Sequence, residues 1–392
     1  MIGRRTDSGE RYGASFLELF FDLVFVFAIT QVSHLLLDHL TWTGLGQSMI
    51  ALLVVWWAWN GTTWLTNSLD VEAVPVKLLM LALMLAGLLM AVAIPEAFGD
   101  LGLLFVGSYV AIQMGRTAFL TFVGSKRGSA DRSRDSRILI WFCFSAPFWI
   151  AGALVEGEAR AALWLLALGL DYVAPLTLYR VPGLAKVAPE AWTLGTSHFA
   201  ERFGLFVIIA LGESIILAGA TAADLELDWP MLMSLVIAFI GTAALWWLYF
   251  STIAARVERS LAESEDPVLL ARDAFTYGHV LIIAGIILVA VGDELVIAHP
   301  TEALATAELL TVVAGPVFYL AAQIALRWRM TGGLSRRRPV AIAVCAAVGV
   351  IGWLGAPAML VGGLLVAVLV ALAVTDELSG RSRKRESTEA TA

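Results

Sequence analysis

The chain has 392 residues, of which 59% are hydrophobic and 15% charged, and its mean hydropathy is +0.81. A single soluble core cannot bury that much apolar surface, since soluble domains carry about 25% charged residues, so the composition excludes an ordinary water-soluble domain and implies a membrane protein. The formal net charge of −7 says little about partners, because topology sorts charges by membrane side, and the two cysteines, Cys143 and Cys345, lie in apolar stretches that make no disulfide framework.

Lipid offers the backbone no hydrogen-bond partner, so long apolar runs must span as helices, each needing about 20 residues. The expected fold is all-α. Residues 1–15 are polar, carry Arg4, Arg5 and Arg11, and have no cleavable leader pattern after them. A first block of six predicted spans then covers 16–180, at 16–40, 44–66, 74–95, 101–123, 137–155 and 160–179. A linker at 181–196, broken by Pro182, Gly183 and Pro189, leads to a second block at 197–376, with spans at 197–220, 230–252, 273–296, 304–328, 338–354 and 356–376. The remaining 377–392 are charged and rich in Ser and Thr, which predicts a disordered tail.

The second block repeats landmarks of the first. Trp56-Trp57 parallels Trp246-Trp247, Ala86-Gly87 parallels Ala284-Gly285, and Tyr109, Gln113 and Arg116 parallel Tyr319, Gln323 and Arg327. Basic residues gather before the first span, after the fourth (Lys126, Arg127, Arg132, Arg134, Arg137), in the linker (Arg180, Lys186), after the eighth (Arg256, Arg259, Arg272), at Arg336 to Arg338, and in the tail. Acids such as Asp38, Glu96, Asp100, Glu156, Asp224, Glu226, Asp228 and Glu302 fill the opposite loops, with Arg160 the basic exception. The positive-inside rule then places both termini in the cytoplasm of a bacterial inner membrane. Six spans return the chain to its starting side, so the expected architecture is twelve transmembrane helices in two parallel six-helix repeats.

Ionisable residues within spans cost about 2.5–3.5 kcal/mol each at a helix centre, so the retained ones are the candidates for function. Glu18 and Asp22 are four residues apart on one face of the first helix, and His198 and Glu201 are three apart on the seventh. Glu213 lies roughly 18 Å beyond Glu201 by helical rise and is expected near mid-membrane. Gln113 and Gln323 occupy equivalent positions and either bond neighbouring helices or line a polar path, while Arg116, Asp171 and Arg202 are expected in charge pairs. Arg116 has two open partners, Asp171 or the acids of the first helix. The tryptophan clusters read as interface anchors and packing. No Cys-rich zinc pattern, phosphate loop or nucleophile elbow is present, so neither enzyme activity nor a cofactor is expected, and the basic loops need no nucleic acid to explain them.

Glu18-Leu19-Phe20-Phe21-Asp22-Leu23-Val24-Phe25-Val26-Phe27-Ala28, with Glu201-Arg202-Phe203-Gly204-Leu205 and Ala210-Leu211-Gly212-Glu213-Ser214, resembles the two hallmark stretches of the bacterial low temperature requirement protein A family. The resemblance implies an integral bacterial membrane protein and a link to growth in the cold, and names no reaction. Phe20-Phe21-Asp22-Leu23-Val24-Phe25 is also similar to the Phe-Ser-Asp motif of a family of bacterial and lysosomal potassium channels, with Phe21 in place of the serine and Phe16 where an arginine is usual. The expected function is a transporter or ion pathway in the lipid bilayer for a small solute, a proton or another small cation. The alternative is a structural or cold-stress membrane protein, or a potassium-channel-like one. Acids lining a wet crevice would point to transport, and acids capped by Arg116, Arg202 and hydroxyls to a structural role.

Overall fold

A computed structural model describes residues 13–187, 191, 192, 194–223, 225, 228–333 and 335–389. Arg4, Arg5, Arg11, Pro189, Asp224 and Glu226 lie outside the described residues. Among those described the chain is helical throughout, with one isolated bridge between Ala303 and Pro357. The helices are α1 (Phe16–Asp38), α2 (Trp42–Ser68), α3 (Val74–Val92), α4 (Gly102–Phe119), α5 (Ala130–Ala153), α6 (Gly157–Leu176), α7 (Thr196–Ala223) and α8 (Trp229–Tyr249). They continue with α9 (Ala255–Ala262), α10 (Pro267–Ala271), α11 (His279–Ala298), α12 (Thr306–Thr331), α13 (Arg337–Trp353) and α14 (Ala358–Glu389).

Local chemistry starts several of them. Ser15 and Glu18 form a capping box on α1, the Thr41 hydroxyl caps α2, Ser129 caps α5, and Asp228 caps α8 just before Pro230 in its first turn. These side chains take up N–H groups that a helix start leaves without a partner.

Among the described residues, ten helical segments are long and apolar enough to cross a membrane, where the sequence predicts twelve. The missing two are helices, but each fails for a physical reason. The second predicted span, α2, carries Gln47, Ser48, Asn60, Thr62, Thr63, Thr66 and Asn67 and is too polar by composition. The eleventh, α13, has 17 residues, at the lower end of the length that spans a bilayer. Two further boundaries move. Single π-helical turns, at Phe250–Ala254 and Arg272–Gly278, carry α8 into α9 and α10 into α11, so the eighth loop shrinks to the few residues between Ala262 and Pro267. The tail expected to be disordered from 377 instead continues α14 to Glu389, since no proline follows Pro357 and an established helix propagates at one hydrogen bond per residue.

The chain divides into two compact units, Met1–Arg202 with Asp266–Arg272, and Phe203–Glu265 with Asp273–Ala392. The division falls inside α7, after Arg202, whereas the sequence places it in the linker at 181–196. In the first unit α1 packs on α2 and α3, α3 on α4, α4 on α5, α5 on α6, and α2 on α4 and α6. The linker is tied into this unit, with an Arg134 guanidinium donating to the Ala191 carbonyl and Trp192 stacked on Tyr179. Arg160, the basic exception among the acidic loops, hydrogen-bonds backbone carbonyls. It is buried, with Nε donating to Val155 O at 2.9 Å and its terminal nitrogen to Gly99 O at 2.7 Å and Ala97 O at 3.3 Å. Its charge satisfies carbonyls of two loops, which a solvated loop arginine would leave to water.

In the second unit α11 packs on α12, α12 on α13, α13 on α14, and α8 on α11 and α14. The α11–α12 approach depends on Gly285, where a Cβ would lie 2.8 Å from backbone atoms of Tyr319. The last turns of α7 join α8 and α11 through a cluster of Ala218, Ala222, Met231, Ala238 and Ile297.

Candidate functional site: a buried charge cluster on α1, α2 and the start of α7

The densest set of buried polar groups lies within the first unit. Asp22, fully buried on α1, receives both terminal nitrogens of Arg202, at 2.9 Å to Oδ2 and 2.7 Å to Oδ1. The geometry is bidentate, which combines charge with a fixed orientation. Trp59 on α2 donates its indole N–H to Asp22 Oδ1 at 2.8 Å, and the Arg202 guanidinium sits 5.9 Å from the same indole ring. One turn earlier on α1, Glu18 Oε2 accepts from the Ser15 backbone N–H and hydroxyl, each at 2.9 Å. His198 Nε2 lies 3.1 Å from Glu18 Oε1 and 3.2 Å from Oε2. The far side of that imidazole meets Asn67 of α2, Nδ1 to Nδ2 at 3.2 Å. Asn67 also bonds the backbone of Gly195, just before α7, through both ends of its amide.

These contacts explain why the sequence folds this way locally. His198 and Arg202 are four residues apart and so project from one face of α7, matching Glu18 and Asp22 on α1. Two acids on one face therefore do not repel unopposed. Each meets a nitrogen group from the partner stretch. Glu201, three residues after His198, is not part of this set of contacts. It is exposed, and its carboxylate lies near Gly13. A shift of three residues turns a helix by about 300°, so His198 and Glu201 can share a neighbourhood but need not share a partner.

The other candidates occupy separate sites. Arg116 on α4 donates to Gln113 Oε1, to the Ala58 carbonyl at 3.3 Å and to the Thr62 hydroxyl at 3.5 Å. Asp171 on α6 is held by the Tyr109 hydroxyl at 2.7 Å and the Trp149 indole at 3.0 Å. Of the two partners the sequence left open for Arg116, Asp171 or the acids of the first helix, neither is among the groups it hydrogen-bonds here, which are neutral. Asp22 instead takes Arg202, and a second buried pair in this unit joins Arg134 to Asp135 at 2.7 Å. Glu213 belongs to the second unit, where it is buried. Gln323, also in that unit, accepts from Arg338 Nε at 2.8 Å, so its arginine comes from α13 and not from Arg327 on its own helix.

Sequence reasoning missed Ser15, Trp59 and Asn67. The first was legible, because Ser15-Phe16-Leu17-Glu18 has the capping-box spacing just before an apolar run. Trp59 reads as one more aromatic anchor, and Asn67 as a polar residue near a helix end. Only their positions across from α1 and α7 give them roles.

With this geometry in view, the sequence profile described as "Bacterial low temperature requirement A protein (LtrA)" matches residues 13–374. The chain belongs to this family. An uncharacterised protein of Rhizobium meliloti (strain 1021) is 38% identical over 321 residues, covering 81% of this chain and 78% of the relative. No solved structure matches. The family match spans the whole cluster, from Ser15 to Arg202, and identifies this family member as a multi-pass membrane protein.

Proposed function

We propose that this protein moves a small solute or cation across the bacterial inner membrane, with the Asp22–Arg202 pair as the element whose closing and opening controls passage. The observation that carries the reading is the pair itself. Glu18 is explained by its capping duty, but Asp22 caps nothing and is fully buried against an equally buried Arg202. Desolvating two charges costs several kcal/mol each, and well-packed apolar residues would hold two helices together as well or better. A pair kept at that cost is suited to a switch, since a proton on Asp22 or a competing ligand would release Arg202. Proton coupling is part of the proposal.

The remaining parts of the reading concern architecture. Twelve helices in two parallel six-helix repeats, with both termini cytoplasmic, would count α2 and α13 as spans. Support comes from packing order, because α3, α4, α5 and α6 pack in series with α6 on α2, and α11, α12, α13 and α14 pack in series with α14 on α8. Further support comes from Gln113 and Gln323, each accepting from a buried arginine.

A second reading has its own observation. Both buried acids of α1 are capped by donors, Glu18 by Ser15 and His198, and Asp22 by Arg202 and Trp59, as a purely structural cluster would require. Purified protein in proteoliposomes separates the two. Transport predicts proton, potassium, sodium or solute flux that falls at least tenfold in an Asp22→Asn, Glu213→Gln double variant. Flux indistinguishable between the two proteins, across ions and a solute screen, would leave the structural reading.

A further inference from the structure

We infer that Asn67 is a positioning residue that fixes His198 as a neutral imidazole protonated at Nε2, so that among the described residues the cluster keeps a single uncompensated negative charge, on Glu18. The tautomer follows from hydrogen bonding alone, while its use in moving charge rests on the transport reading.

The Gly195 backbone N–H can only donate, and its carbonyl can only accept. Gly195 N donates to Asn67 Oδ1 at 2.9 Å, and Asn67 Nδ2 donates to Gly195 O at 3.0 Å. Rotating the amide by half a turn would set N–H against N–H and oxygen against oxygen, losing both bonds. The amide orientation is therefore dictated by the backbone. It is the second hydrogen of Nδ2 that faces His198 Nδ1, 3.2 Å away. Nδ1 must accept that hydrogen bond, so it carries a lone pair and no proton. In a neutral ring the proton then sits on Nε2, where both Glu18 oxygens lie within 3.2 Å to receive it. An imidazolium would point an Nδ1–H at the Asn67 N–H, donor against donor. All three side chains are buried, so water does not relieve that conflict cheaply.

Charge bookkeeping follows. Asp22 and Arg202 cancel, His198 contributes nothing, and Ser15 supplies only neutral donors to Glu18. Among the described residues the polar groups facing His198 are Glu18 from α1, Asn67 from α2 and, one turn further along α7, Arg202. One positive charge, a proton or a small monovalent cation, would balance the cluster, and a salt bridge between His198 and Glu18 is not available to do so. The same amide pins the start of α7 to the end of α2, so the residue that sets the tautomer also sets the ring position.

The test is 15N NMR of the full-length chain, labelled at histidine and held in lipid nanodiscs. Of the five histidines, His198 is assigned by the signal lost in His198→Gln. The expected spectrum at neutral pH has an acceptor-type Nδ1 and a protonated Nε2. Asn67→Asp keeps the shape but turns the facing group into an anionic acceptor. It should convert His198 to the imidazolium at neutral pH, an effect that a merely structural role for Asn67 would not produce. A proton on Nδ1 in the unaltered protein, or an unchanged His198 signal in a folded Asn67→Asp variant, would overturn the inference. Should Asn67→Asp not fold, the unaltered protein's spectrum decides alone. Absence of flux in proteoliposomes would sink the transport reading and leave the tautomer standing, so the two failures are distinguishable.

Discussion

Asp22 and Arg202 hold each other with two parallel hydrogen bonds and no solvent, so neither can be removed without leaving a buried charge. Arg202→Leu should destabilise the protein by about 3–5 kcal/mol, the usual cost of breaking a buried pair from one side. An Asp22→Leu, Arg202→Leu double variant should recover most of that loss. Thermal unfolding in detergent checks both, and a double variant no more stable than Arg202→Leu would mean that the pair is not an isolated unit. If the transport reading is right, the recovered protein would still carry no flux. At this scale the sequence named Glu18, Asp22, His198 and Arg202 as unusual, because charge within an apolar run is visible in one dimension. It did not name their partners. Which arginine meets which acid depends on contacts between residues 180 positions apart.

Helices are positioned by small local choices, and α2 shows how. Its polar residues make it a poor span by composition, yet they face the other helices of the first unit, where Trp59, Thr62 and Asn67 each meet a named partner. Gly61 on the same helix leaves room for the Arg116 guanidinium, which a Cβ would strike. Gly61→Ala should therefore cost about 1–3 kcal/mol by overpacking. Adding Arg116→Met, which removes the obstructing head group, should make the combined loss smaller than the sum of the two single losses. Melting temperatures of the three variants measure this, and strict additivity would show that the contact is not made. The sequence could place α2 as a helix from its length and apolar share. It could not show that its polar stripe is consumed internally, since a polar residue in an apolar run reads the same whether it faces a pathway, a neighbour or lipid.

Across the whole molecule, charge asymmetry is the strongest topological signal. With Cys143 and Cys345 replaced, single cysteines at the exposed positions Lys126 and Glu156 flank α5. A membrane-impermeant maleimide applied to intact spheroplasts should label Glu156→Cys at once and Lys126→Cys only after permeabilisation. The reverse pattern, or equal labelling, would overturn the cytoplasmic assignment of the termini. The tail makes a separate point: its Ser, Thr and charge content predicts disorder, yet α14 runs to Glu389, because composition reports how a segment would behave alone and not that a preceding helix can extend into it.

The sequence by itself determined the helical membrane class, the family, most span positions and several of the buried charges, Glu18, Asp22, Arg116, Asp171, Arg202 and Glu213 among them. These follow from the cost of exposing backbone or charge to lipid, a cost that is paid residue by residue and so is written locally. Only the tertiary structure decided that Asp22 takes Arg202, that Arg116 and Asp171 bond neutral groups, and that Asn67 lies against both Gly195 and His198. Hydrogen bonds are short and directional, so their outcome depends on which atoms two distant helices bring within about 3 Å, and no pattern along the chain encodes that distance.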